Sequence, residues 1–134
     1  MVKYVPHHTA ISVGNLDITL AFYKTFGLKE VHRYEDPDKT GVKLKLDDYV
    51  LEIFAYKQNQ DKPKLINELG NNLSEVGIKH IGFAVEDLDA ALEDLKTKGL
   101  ADSKTEILTK DTARFFFVKD PDGMWVEVIK DDRY

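Results

Sequence analysis

Four side chains in this 134-residue sequence combine a reactive type with a telling position. His8 opens the segment His8-Thr-Ala-Ile-Ser-Val13, and His80 opens His80-Ile-Gly-Phe-Ala-Val85. Glu52 stands alone among apolar residues in YVLEIFAY, and Glu127 does the same in MWVEVIK. Each has a simple reading by itself: a lone strand histidine is most often a hydrogen-bonded core residue, and a lone strand glutamate most often faces water. But an ionised carboxylate buried without compensation is strongly unfavourable, so each Glu must find a cation, take a proton or reach solvent. Two imidazoles and two carboxylates brought together suit a divalent first-row metal. Four protein ligands on an ion that accepts six leave two positions for water or a bidentate substrate, which is the signature of a catalytic site.

The elements that must position them come in two copies. Shifting the sequence by 72 residues lays His8–Leu28 on His80–Leu100, with identities at His8/His80, Val13/Val85, Leu16/Leu88, Asp17/Asp89, Leu20/Leu92, Lys24/Lys96, Thr25/Thr97, Gly27/Gly99 and Leu28/Leu100. These are nine of 21 aligned positions, where unrelated sequences of average composition would share roughly one or two. Each copy opens with a short strand, followed by Asn15 or Asp87 as a helix N-cap whose side chain accepts from the first turn. The helix stripes read Leu16, Leu20, Tyr23 and Leu88, Leu92, Leu95, and Gly27 and Gly99 stop them.

Strand patterns follow at 29–35, 40–46 and 49–56 in the first copy, and at 105–109, 113–119 and 124–129 in the second. The turns between them include Asp36-Pro37-Asp38-Lys39 and Asp120-Pro121-Asp122-Gly123. Period-2 alternation places His8, Ala10 and Ser12 on one face of the first strand, and His80, Gly82 and Ala84 on the matching face of its counterpart. Small residues beside each histidine leave room for something else. The predicted fold class is α+β: two βαβββ modules forming a curved mixed sheet around a metal-binding cleft. A single domain over residues 1–134 is expected, with half-modules 1–56 and 77–134 and a polar connector over 57–76 that holds a short helix around Leu65–Leu69.

Composition narrows the function. The 19 Lys+Arg against 24 Asp+Glu give a net charge of −5, which lacks the footprint of a nucleic-acid binder. With no cysteine, disulfides, thiolate metal sites and a cysteine nucleophile are excluded. No apolar run is long enough to span a bilayer or form a signal peptide, so the expectation is a cytoplasmic protein without a membrane partner.

The motifs His8–Val13, Phe22-Tyr23-Lys-Thr-Phe-Gly27, Leu51-Glu52-Ile53, His80–Val85 and Asp120-Pro-Asp-Gly123-Met-Trp-Val-Glu127 together resemble the vicinal oxygen chelate superfamily. That superfamily includes glyoxalase I, extradiol dioxygenases, methylmalonyl-CoA epimerase and the fosfomycin and bleomycin resistance proteins. The resemblance covers nearly the whole chain, and within it His8, Glu52, His80 and Glu127 match the four metal-binding positions. The full His-Glu-His-Glu set looks most like glyoxalase I (lactoylglutathione lyase). One departure is Ser12, where glutathione-dependent glyoxalases often carry arginine.

What the resemblance implies is a lyase or isomerase that holds one divalent ion (nickel, cobalt, zinc or manganese) and acts on a small oxygenated substrate. The ion polarises a carbonyl, and Glu127 or Glu52 moves the proton of the adjacent carbon. The rivals are a non-enzymatic drug- or metabolite-binding resistance protein on the same scaffold and an extradiol-type dioxygenase. A homodimer is expected, since half-modules leave edge strands that a second copy can cover. His7, placed by alternation on the face opposite His8, and His32, which has no repeat counterpart, stay outside the expected site. Arg114 reads as a surface ion pair, and Phe115, Phe116, Phe117 and Trp125 as core or pocket wall.

Overall fold

A computed structural model describes residues 1–58, 74 and 76–132. The chain divides into two compact units, Met1–Lys62 and Pro63–Tyr134, each carrying one copy of the repeat. The connector helix anticipated around Leu65–Leu69 lies outside the described residues.

In the first unit, strand β1 (His8–Ser12) leads into helix α1 (Leu16–Lys24), then β2 (Lys29–Glu35), β3 (Lys39–Leu46) and β4 (Tyr49–Tyr56). The sheet order is β1-β4-β3-β2, with β1 parallel to β4 and the other pairs antiparallel. The second unit repeats this with β5 (His80–Ala84), α2 (Leu88–Thr97), β6 (Leu108–Lys110), β7 (Ala113–Lys119) and β8 (Trp125–Asp131), in the order β5-β8-β7-β6. The predicted α+β class with two βαβββ modules is what the structure shows, as two four-stranded mixed sheets.

The helices start where the caps direct them. Asn15 accepts from the Ile18 amide at 3.1 Å, and Asp87 from the Ala90 amide at 3.0 Å. Both caps satisfy a first-turn donor that has no intrahelical partner. Past the helix ends, Gly27 and Gly99 take φ of 95° and 73°, a conformation that costs other residues about 1–2 kcal/mol. In the first unit α1 lies against β4, closing a core of Leu20, Tyr23, Val42, Leu44, Leu51 and Ile53. In the second, α2 lies against β7 and β8 over Leu88, Leu95, Phe116, Val126 and Val128. These burials supply most of the stability of each unit.

One strand departs from its sequence pattern by more than two residues. β6 spans only Leu108–Lys110 in place of 105–109, because Asp102 captures the chain before it. Its carboxylate accepts from the Lys104 amide at 2.8 Å and from the Thr105 hydroxyl at 3.3 Å, and its carbonyl accepts from the Thr105 amide. Such local bonding competes with strand pairing.

The β2–β3 turn carries its own electrostatic clasp. Asp36 accepts from the Asp38 and Lys39 amides and from the Lys39 ammonium at 2.8 Å, and these bonds pull its carboxyl from 3.8 down to about 2. A depressed carboxylate contributes stability above its unfolded pKa and loses it as pH falls through the folded value. The turn is therefore expected to keep its clasp at neutral pH and shed it between about pH 4 and pH 2. A carboxyl carbon shift titration of Asp36 should show a midpoint near 2. A midpoint at the ordinary aspartate value would refute the clasp.

Candidate functional site

Strand pairing gives each unit an equivalent placement of one histidine and one glutamate. In the first, Ala10 of β1 pairs with Glu52 of β4, so His8 and Glu52 project from the same sheet face two positions apart. In the second, Gly82 of β5 pairs with Glu127 of β8, and His80 occupies the place of His8. The faces differ from the core as alternation requires: Ile11 and Val13 are buried beside exposed Ala10 and Ser12, and Ile81 and Phe83 beside exposed Gly82 and Ala84. The small residue opposite each glutamate clears space over it. A Cβ on Gly82 would stand 3.8 Å from Glu127 Oε2.

The second unit brings its pair into contact. His80 Nε2 lies 3.1 Å from Glu127 Oε2, while His80 Nδ1 is buried without a partner. Phe117, paired with Glu127 across β7–β8, sets its ring edge-on to the imidazole at 5.2 Å. Trp125 follows edge-on to Phe117 at 6.1 Å, with the Lys119 ammonium 4.8 Å above its ring. A cavity of about 580 Å³ adjoins this aromatic wall, bounded also by Leu100, Lys104 and Leu108.

The first unit holds its pair apart. Glu52 Oε2 faces the Lys43 ammonium at 3.6 Å, and His8 Nδ1 lies 2.8 Å from His7 Nδ1. His8 and His7 line a cavity of about 840 Å³ with Pro6, Lys45 and Tyr49, and burial raises the Tyr49 hydroxyl above its ordinary pKa despite a bond with Thr9. Neither unit alone gathers three or more His, Asp or Glu side chains in reach of one cation among the described residues. Both glutamates are only 16% exposed, a poor fit to the open-water reading.

The donor set fits a divalent ion chemically. Two ligands held about 2.1 Å from one ion at a right angle are about 3 Å apart, close to the observed His80–Glu127 separation. Neutral imidazole and carboxylate are borderline-to-hard donors, as first-row divalent metals prefer.

Two neighbours of the candidate residues lie outside the expected site but touch its members. Lys43 was visible in principle, since the alternation Val42-Lys43-Leu44-Lys45 sets it opposite the core and across from Glu52. His7 departs from the alternation that sets it opposite His8: β1 begins at His8, so the strand rule does not reach His7, which turns toward its neighbour. Arg114 pairs with Asp89 at 3.4 Å on the surface, as its surroundings suggested. The Asp120–Gly123 turn is tied by Asp120, which accepts from the Asp122 and Met124 amides at 2.9 Å and so fixes the start of the strand carrying Glu127.

Comparison with known proteins gives one family. The model of the glyoxalase/bleomycin resistance protein/dioxygenase superfamily matches residues 5–128. YaeR, an uncharacterized protein of Escherichia coli, is 28% identical over 91% of this chain and 92% of its own length. The lactoylglutathione lyase of Schizosaccharomyces pombe is 27% identical over 92% of this chain, which spans only 44% of that enzyme. The fold is similar to that of the fosfomycin resistance protein FosX from Listeria monocytogenes, solved with Mn(II) and sulfate. That structure gives a TM-score of 0.66 at 19% identity, covering 99% of this chain and 96% of that one.

Proposed function

We propose that this chain, which belongs to the glyoxalase/bleomycin resistance protein/dioxygenase superfamily, is a divalent-metal-dependent lyase or isomerase of the glyoxalase I type. The observation that carries this reading is the matched placement of His8 with Glu52 and of His80 with Glu127, the latter pair at 3.1 Å. The similarity to a lactoylglutathione lyase and to a manganese-bound fosfomycin resistance protein supports it.

His8, Glu52, His80 and Glu127 would hold one ion, within one chain or across a homodimer. The ion supplies Lewis acidity toward a carbonyl oxygen of the substrate. The remaining chemistry belongs to this chain. Glu127 or Glu52 takes the proton from the carbon next to that carbonyl and returns it to the neighbouring carbon. Partial burial limits the access of competing water to these carboxylates. Phe117 and Trp125 give the substrate an apolar wall beside His80. Lys43 holds the Glu52 carboxylate in place from the neighbouring strand.

The homodimer rests on the edge strands each sheet leaves, β1 and β2 in one and β5 and β6 in the other. No helix among the described residues is long and apolar enough to cross a membrane.

The test is metal content. Protein purified without chelator, or incubated with nickel, cobalt, zinc and manganese, should carry one ion per chain by elemental analysis. Trp125 is the sole tryptophan, paired in register with His80, so nickel or cobalt uptake should quench its fluorescence. Protein that stays metal-free with all four ions ends the enzyme reading and leaves the resistance-type binding protein in its place.

A further inference from the structure

The contact between adjacent histidines points beyond the four ligands. His7 Nδ1 and His8 Nδ1 lie 2.8 Å apart, and the rings meet edge-on at 5.1 Å and 84°. At that distance one nitrogen donates and the other accepts, since two lone pairs would repel. A neutral imidazole carries a single N–H, so the direction of this bond decides where the second nitrogen of His8 keeps its lone pair. If His7 donates, His8 holds its hydrogen on Nε2 and that atom cannot bind a cation. If His8 donates, its Nε2 lone pair is free.

Building on the metal reading above, we propose that His7 is a positioning residue: its Nδ1 accepts the Nδ1–H of His8 and so reserves Nε2 of His8 for a divalent cation. The bond and the cation reinforce one another, because a cation on Nε2 polarises the ring and makes Nδ1–H a better donor. The second unit offers a contrast. There Lys79 precedes His80, and the His80 Nδ1 is buried without a partner, so the two histidines of the repeat are not prepared alike. His8 is the more exposed of the two, and a partner that fixes its tautomer compensates for weaker confinement.

Two substitutions separate nitrogen from ring. His7→Asn sets an amide oxygen where Nδ1 stood and keeps the acceptor, whereas His7→Phe keeps a ring and removes it. Zinc affinity by competition titration should fall about 10- to 100-fold in His7→Phe and stay within about threefold of wild type in His7→Asn. A packing role for the ring predicts the reverse order, and a role for His7 as a direct ligand predicts loss in both; either result overturns the proposal. Nitrogen-15 spectra of the metal-free protein give a readout that needs no ion. His8 should carry its hydrogen on Nδ1 in wild type and shift toward Nε2 in His7→Phe. A wild-type His8 protonated on Nε2 overturns the proposal even if zinc binds, whereas wild-type protein that takes up no zinc overturns the metal reading and leaves the spectrum to decide the bond.

Discussion

Glu127→Gln or Glu52→Gln is expected to leave the ion in place and to slow proton exchange next to a substrate carbonyl by about 10²- to 10⁴-fold in at least one of the two variants. Glutamine has nearly the shape of glutamate, and its amide oxygen still serves as a ligand, but it accepts no proton. The two positions are not equivalent. Glu127 faces an imidazole at 3.1 Å, whereas Glu52 faces the Lys43 ammonium at 3.6 Å. Loss of the Lys43 contact costs little by itself, less than about 1 kcal/mol for a partly exposed pair. A large rate effect at position 52 would therefore report chemistry and not unfolding. The measurement is deuterium exchange into a hemithioacetal or related α-hydroxycarbonyl substrate alongside metal content for each variant. Both variants exchanging at the wild-type rate with metal bound would refute the carboxylate base and keep the metal site.

Much of this arrangement was legible because it depends on local periodicity. Strands β4 and β7 have the bounds their alternation predicts, since Leu51, Ile53, Phe116 and Val118 need a core and their neighbours do not. The helix starts were legible because Asn15 and Asp87 do one physical job each. Isolation among apolar residues made Glu52 and Glu127 conspicuous, and the register gives them equivalent places. Their pairing with Ala10 and Gly82 is the same although the intervening chains differ in length. Legibility ended where a residue's direction is set by something other than its own element. Asp102 shortened β6 through bonds to its own loop, which a strand pattern cannot register. His7 lies one residue outside β1, where the period-2 rule no longer applies, and its ring direction follows from the neighbour it meets. Lys43 obeyed the rule but carried no signal of its own, as lysine on an exposed strand face is ordinary.

Removing the ion should cost the protein about 4 kcal/mol of stability when the free ion had been present at 1,000 times its dissociation constant. For a chain of this size that corresponds to a fall in melting temperature of about 10 °C or more. The size of the effect depends on the unfolded chain binding the ion poorly. This sequence favours that condition, having no cysteine and only four histidines. The readout is the difference between melts with zinc and with chelator, because the difference cancels any direct effect of a substitution on the fold. In wild type it should be large. In His80→Ala it should collapse, since the ion loses an imidazole and Glu127, only 16% exposed, loses the partner that accompanies it toward the cation. His32→Ala removes an imidazole that tilts against Tyr34 on an exposed strand, and should leave the difference intact. Equal zinc-dependent shifts in wild type and His80→Ala would show that the ion binds elsewhere. No shift in wild type would show that these four side chains do not hold an ion in the folded state.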